Sequence, residues 1–74
     1  MMMKKLVIYD TPDKTIDDAI DVIWDITEHE EIQCEQIALT MGCKGHAVVK
    51  EDKEEYLELM AEYIMLKGFH VKII

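Results

Sequence analysis

The sequence contains no serine, and it has only two cysteines, three histidines, one proline and three glycines among 74 residues. Nucleophilic catalysis requires a reactive side chain beside a base, and few residues here can supply either. Long apolar runs are absent as well, because the run after Lys5 ends at Tyr9, too short for a signal-peptide core or a membrane span. We therefore expect one binding domain over residues 1–74, not an enzyme.

Positive charge is also scarce. The chain has eight basic residues and sixteen carboxylates, which gives a net charge of -8. Nucleic acids and anionic membranes require a basic surface, so the composition argues against both partners. A basic protein surface would complement this charge, or the charge serves only solubility. The segment Met1–Lys5 resembles a charged leader, but no apolar core long enough follows it. With two cysteines, the chain is expected to be cytoplasmic.

Three short apolar segments predict strands, at 5–9, 47–49 and 69–73. The last alternates apolar and polar residues, which is typical of a strand with one solvated face. A right-handed crossover between the second and third strands would place them on either side of a central, antiparallel first strand. With the helices, the pattern predicts an α+β fold of order β-α-α-β-α-β. Its three-stranded antiparallel or mixed sheet would be covered on one face by three helices.

Three amphipathic segments predict helices. Thr15 and Asp18 approximate a capping box at the start of the first helix. Gly42 is expected to end the second helix, and Gly68 to follow a third helix over 51–67. The expected inward-facing residues are Ile16, Ala19, Ile20, Ile23 and Ile26 in the first helix, Cys34, Ile37, Ala38 and Met41 in the second, and Tyr56, Leu59, Met60, Tyr63 and Ile64 in the third.

The cysteines and histidines leave two chemical alternatives open. Cys43 and His46 would form a nucleophile–base pair, but the sequence offers no nearby group to orient the imidazole. Cys34 together with that pair would suggest zinc, although the paired spacing of common zinc sites is missing. We expect a buried thiol and a plain turn, with His29 and His70 solvated and with no metal or cofactor.

The segment from Cys34 to Ala47, Cys-Glu-Gln-Ile-Ala-Leu-Thr-Met-Gly-Cys-Lys-Gly-His-Ala, resembles the central signature of the Clp-protease adaptor (ClpS) family. In that family a helix ends in an apolar residue and a histidine, and a short turn then leads to glycine, a basic residue and alanine. The similarity runs without gaps from about Leu6 to the C-terminus, including Ile20–Ile23 and Gly68-Phe69. It implies the β-α-α-β-α-β fold of that family, which the C-terminal domain of the ribosomal stalk protein shares.

The resemblance also implies a function in proteolysis. ClpS-family adaptors dock on the AAA+ unfoldase of a Clp protease and deliver substrates that bear N-degrons. They hold a bulky N-terminal side chain in an apolar pocket, while an Asn-Asp-Asp turn and the histidine bind the free α-amino group. The resemblance places a degenerate version of this pocket at Asp10, Thr11, Ile16, Ala19, Ala38, Met41 and Gly42, with Phe69 as a further wall position.

Both amine-binding elements of the family, the turn and the histidine, differ in this chain in a way that affects affinity. The Asn-Asp-Asp turn falls on Asp10, Thr11 and Pro12, and the histidine falls on Gly42. A charge-assisted hydrogen bond contributes roughly 1.5–3 kcal/mol, so losing two would weaken binding by about a hundredfold or more. The expected function is therefore an adaptor-like protein that presents N-degron substrates or modulates their delivery.

The resemblance further places partner-binding residues at Lys44, Gly45, Glu51 and Lys53. A second function uses the acidic stripe of the first helix, formed by Asp17, Asp21 and Asp25. In that alternative the chain is a stoichiometric inhibitor or decoy on the same fold, has lost N-degron recognition, and captures a basic partner.

Overall fold

A computed structural model describes residues 2–74; the leader-like segment begins at Met1, which lies outside them. The elements are β1 (Lys4–Tyr9), α1 (Ile16–Ile26), α2 (Glu31–Lys44), β2 (His46–Asp52), α3 (Glu54–Leu66) and β3 (His70–Ile73). The predicted order β-α-α-β-α-β is confirmed. Across the described residues, no helix has the length and apolar character needed to cross a membrane.

The sheet has the order β2-β1-β3, and β1 is antiparallel to both neighbours. The central position predicted for the first strand is confirmed. Backbone hydrogen bonds in both directions between Lys5 and Ile74, at 2.8 and 2.9 Å, extend the pairing of β1 with β3 to the last residue. The sheet edges are therefore β2 and β3, while β1 is paired on both sides.

The hydrophobic core lies between the sheet and the helices. Leu6 and Ile8 point toward the helices and are fully buried, whereas Val7 between them lies outside the core cluster, since successive side chains of a strand point to opposite faces. Full burial of such a side chain contributes about 1.5–3 kcal/mol. The helical residues of the core are Ala19, Val22, Ile23, Cys34, Ala38, Met41, Leu57, Ala61 and Ile64.

Helix α1 begins at the predicted capping box. The Asp18 N–H donates to Thr15 Oγ1 at 3.1 Å, and the Thr15 N–H donates to the Asp18 carboxylate at 2.9 Å. The hydrogen bond from Thr15 holds the pKa of the Asp18 carboxyl below its ordinary value. The expected inward face is present, with Ala19 and Ile23 buried and with partly buried isoleucines packed against them: Ile16, Ile20 and Ile26.

The end of α2 differs from the prediction. The helix continues through Gly42 to Lys44, and Gly45 caps it in the left-handed conformation with a φ of 87°. The Gly45 N–H donates to the Met41 carbonyl at 2.8 Å. The expectation that Gly42 ends the helix is wrong, because the glycine with the left-handed backbone is the one three residues later.

Helix α3 begins later than predicted. Glu51 and Asp52 pair with β1 as the last residues of β2, so the helix starts at Glu54. Glu51 and Asp52 therefore belong to the sheet, although they also fitted the helical pattern. At the other end, Gly68 follows the helix with a φ of 93°, which agrees with the prediction.

The inward face of α3 is only partly as predicted. Met60 and Tyr63 pack against the core, but Tyr56 is 51% exposed and Leu59 is 67% exposed. The expectation that these last two face inward is wrong, because the apolar residues of α3 lie on more than one side. Its periodicity therefore fits two stripes. The stripe that packs on the sheet contains Leu57, Ala61 and Ile64.

A β-bulge in β2 explains the position of His29. Val49 has no partner on β1, because the register passes from Leu6–Lys50 directly to Val7–Val48. His29 Nε2 donates to the Val49 carbonyl at 2.7 Å, and an unpaired carbonyl at this buried residue would cost free energy. The expectation that His29 is solvated is wrong, since it is half-buried and holds the bulge.

Replacing Gly45 should test the cap of α2. No atom lies within 4 Å of a Cβ built on Gly45, so backbone strain alone should decide the outcome. We expect Gly45→Ala to lower the free energy of unfolding by about 1–2 kcal/mol. Gly45→Asn should cost less, because asparagine tolerates the left-handed region. Urea denaturation followed by circular dichroism measures both; equal losses would contradict this explanation.

Candidate ligand-binding site

The turn after β1 contains the only polar side chains of the predicted pocket. The Lys14 N–H donates to the Thr11 carbonyl at 3.2 Å, which closes a turn with Pro12 at its second position. The Thr11 N–H donates to Asp10 Oδ1 at 2.9 Å, and the Thr11 hydroxyl donates to Asp13 at 3.1 Å. Asp10 is exposed, and its second carboxylate oxygen accepts no hydrogen bond among residues 2–74, whereas Thr11 is buried.

A backbone hydrogen bond places this turn beside the end of α2. The Asp10 N–H donates to the Gly45 carbonyl at 2.9 Å. Asp10, from the predicted pocket, and Gly45, from the predicted partner-binding set, are therefore neighbours. The fold brings these two parts of the candidate site together through the main chain alone.

Ile16 occupies the space next to Gly42. A Cβ built on Gly42 would lie 2.6 Å from the Cδ1 atom of Ile16 and 3.8 Å from its Cγ1 atom. The side chain of Ile16 thus lies where the side chain of residue 42 would begin. The sequence held a signal for this contact, since Gly42 follows the buried residues Ala38 and Met41 at helical spacing, and a glycine permits close approach of a neighbouring side chain.

The remaining pocket positions form a packed wall. Ala19, Ala38 and Met41 have no exposed surface, and Phe69 is 3% exposed. All four belong to the core cluster. A ligand side chain could therefore reach Ala19, Ala38 or Met41 only if neighbouring side chains moved, whereas Phe69 also lines a surface groove of about 220 Å³.

The predicted partner-binding residues lie at opposite ends of β2. Lys44 and Gly45 precede the strand, whereas Glu51 is near its end and Lys53 is the N-cap residue of α3. Seven residues of strand span about 20 Å. One small ligand cannot contact both pairs, so these residues would act together only against a partner protein.

The cysteines and histidines do not converge. Cys34 is buried and Cys43 is exposed, and both are free thiols. His46 is exposed at the start of β2, where its ring centroid lies 6.1 Å from that of Tyr9. Residues 2–74 contain no group of three side chains able to hold a metal ion.

Charge is divided between the two layers of the fold. The three helices carry ten carboxylates and one lysine, whereas the three strands carry four lysines and two carboxylates. The acidic surface is therefore the helical one. This separation was not visible in the composition, which gives only the net charge.

The acidic stripe of α1 has partly structural contacts. The Tyr63 hydroxyl donates to Asp25 at 2.8 Å and links α3 to α1. This hydrogen bond raises the pKa of Tyr63, because ionising the phenol would remove the donor. Asp18, Asp21 and Asp25 also line a groove of about 220 Å³ together with Lys14 and Lys67. Asp17 and Asp21 are exposed and have no such link to α3.

The described residues form a ClpS-like fold. One solved structure with this architecture is that of Agrobacterium tumefaciens ClpS2 bound to L-phenylalaninamide. The two chains superpose with a TM-score of 0.81 over 97% of this chain and 96% of that chain, at 18% sequence identity. No protein-family model matches the sequence, and no curated protein matches it. The resemblance stated from the sequence is confirmed for the fold.

A double-mutant cycle should measure the contact between Ile16 and Gly42. Gly42→Ala favours the helix by about 0.5–1 kcal/mol, but its methyl group would meet Ile16 Cδ1. In an Ile16→Val background that atom is absent, so we expect the full gain there. In the wild-type background the gain should be smaller by about 0.5–1.5 kcal/mol. Urea denaturation gives the four free energies, and additive effects would refute the contact.

Proposed function

We propose that this chain is an adaptor-like protein that docks on the AAA+ unfoldase of a Clp protease and modulates the delivery of N-degron substrates. The observation that carries the proposal is the ClpS-like fold, which extends over 97% of the chain. Docking would use the residues at the two ends of β2, namely Lys44, Gly45, Glu51 and Lys53.

The chemistry of the candidate site supports a ligand with a free amine. L-phenylalaninamide, the molecule bound in the ClpS2 structure, combines an ammonium group with a bulky apolar side chain. In this chain Asp10 offers an exposed carboxylate oxygen to such an ammonium. Ala38 and Met41 offer an apolar wall behind Ile16.

The same site supports modulation more strongly than presentation. Gly42 has no side chain to accept from the amine, and Ile16 lies over it. A protein whose binding-competent state is rarely populated binds more weakly by that fraction. Ligand binding would therefore be weak, while docking at β2, which needs no open pocket, would be unaffected.

Peptide titration should test the role of Ile16. We expect a peptide with N-terminal phenylalanine to bind the wild-type chain with a Kd of about 1 mM or weaker, because two charge-assisted hydrogen bonds are missing. Ile16→Ala should tighten binding about tenfold, since the space no longer has to be vacated. Isothermal titration calorimetry measures both, with an acetylated peptide as the ligand control.

Ile20→Ala is the matched protein control, because Ile20 is also a half-buried isoleucine on α1 but is absent from the predicted pocket. It should leave peptide affinity unchanged. If neither the wild-type chain nor Ile16→Ala binds the free-amine peptide, the N-degron part of the proposal fails. Micromolar binding by the wild-type chain would instead show that Ile16 does not close the site.

The division of charge favours a second function. Ten carboxylates on the helices create an acidic surface that could capture a basic partner without using the pocket. In this alternative the chain is a stoichiometric inhibitor or decoy that has lost N-degron recognition. Asp17 and Asp21 would carry the capture, since Asp25 already accepts the hydrogen bond from Tyr63.

Paired substitutions should separate the two functions. The probe is a Clp-type AAA+ unfoldase, immobilised for biolayer interferometry. If β2 docks, exchanging the charges with Glu51→Lys and Lys53→Glu should weaken binding at least tenfold without changing the net charge. Asp17→Asn with Asp21→Asn should then have little effect.

Capture by the acidic stripe predicts the reverse: Asp17→Asn with Asp21→Asn should weaken binding, and the exchange of charge at Glu51 and Lys53 should have little effect. Glu31→Gln with Glu35→Gln on α2 is the control, because both glutamates are exposed and the change in net charge matches that of the aspartate pair. Equal losses in the aspartate and glutamate pairs would indicate an effect of net charge alone. No binding by the wild-type chain would contradict docking on this unfoldase.

A further inference from the structure

Helix α3 exposes apolar side chains on the side that faces away from the core. Leu66 is 85% exposed, Leu59 is 67% exposed and Met65 is 53% exposed. The core side of the helix is apolar as well, with Leu57, Ala61 and Ile64 buried. A helix that is apolar on several sides is typical of an element covered on several sides. In the isolated chain, the second apolar side of α3 has no cover.

These exposed residues lie along one side of the helix, with Glu62 between them. Leu59, Glu62 and Leu66 are spaced i, i+3 and i+7, which places them on one face of the helix, and Met65 lies beside Glu62. A shallow groove of about 380 Å³ is lined by Glu62, Met65 and Leu66. We call Leu59, Met65 and Leu66 the α3 strip; it extends over about 10 Å along the helix axis.

Every charged residue of α3 is a glutamate. Glu55, Glu58 and Glu62 lie three or four residues apart, so their carboxylates follow the same face as the strip. The next basic residue is Lys67, whose Nζ lies 5.3 Å from the centroid of the Tyr63 ring. The α3 strip is therefore interspersed with carboxylates, and its complement is a surface that combines apolar and basic side chains.

We propose that the α3 strip binds a basic amphipathic helix of a partner protein. Such a helix would set its apolar face on Leu59, Met65 and Leu66 and its lysine or arginine side chains against the glutamates. The proposal goes beyond docking at β2 and peptide binding near Ile16, and it does not depend on either. It uses a different element and a different surface.

The charge of the strip argues against two other occupants. A second copy packed on α3 by twofold symmetry would bring the glutamates of both copies together, and like charges at such distances are unfavourable. An anionic membrane would be repelled by the same carboxylates. A basic helix is the occupant that satisfies both the apolar surface and the charge.

A designed peptide should test this site. The probe is a fluorescein-labelled, 14-residue helix of leucine and lysine with one apolar face, titrated with the folded chain and followed by fluorescence anisotropy. Leu59→Gln with Leu66→Gln should weaken binding at least tenfold. Ile32→Gln with Leu39→Gln on α2 is the matched control, because these residues are 60% and 55% exposed. It should change affinity by less than twofold.

A second pair of variants should test the glutamates that share the face of the α3 strip. Glu58→Gln with Glu62→Gln should weaken peptide binding more than Glu31→Gln with Glu35→Gln, although both pairs remove the same charge. Equal effects of the strip and control variants, in either pair, would show non-specific attraction and overturn the proposal. Analytical ultracentrifugation should show a monomer. A wild-type dimer that becomes monomeric in Leu59→Gln with Leu66→Gln would also overturn the proposal, because the α3 strip would then be an interface between two copies of this chain.

Discussion

The pairing of β1 on both sides is the constraint on which the rest of the structure depends. β1 is the first element of the chain, yet it becomes the centre of the sheet, so β2 and β3 can only add to its edges. Its buried side chains Leu6 and Ile8 then define the face that the helices must cover. The strand also fixes the candidate site, because Asp10 follows it directly and donates its N–H to Gly45. β1 therefore positions both the core and the candidate site.

Much of this arrangement could be predicted from the sequence because it rests on periodicity and local caps. The alternation after Gly68, the capping box at Thr15 and the crossover rule together give the elements and the strand order. Two of the errors came from local patterns that fitted more than one outcome. The pattern predicts an end of α2 at Gly42, but the left-handed conformation that caps the helix belongs to Gly45. The apolar residues of α3 fitted two stripes, and the stripe with Leu57 is the one that packs in the core.

The geometry of the candidate site was less predictable, since the space beside Gly42 depends on one side-chain contact. The family pattern indicates which positions form the pocket, but not that Ile16 lies over Gly42. The two residues have complementary sizes, because the δ-methyl group of Ile16 lies where a side chain at position 42 would begin. Any larger residue at position 42, a histidine included, would have to displace that group. Under the proposed function, a histidine at position 42 would therefore need a smaller residue at position 16 as well.

The exposed residues of α3 connect these observations. In an 8.6 kDa chain, apolar side chains are needed for the core, and leaving Leu59, Met65 and Leu66 in water gives the isolated chain no stability. Their exposure is consistent with a surface covered in a complex. The same holds for the acidic helices, whose mutual repulsion opposes folding unless a basic partner offsets it. The buried pocket positions, the exposed α3 strip and the acidic helices support the proposal of a protein that acts through other proteins more than that of one that acts through a small ligand.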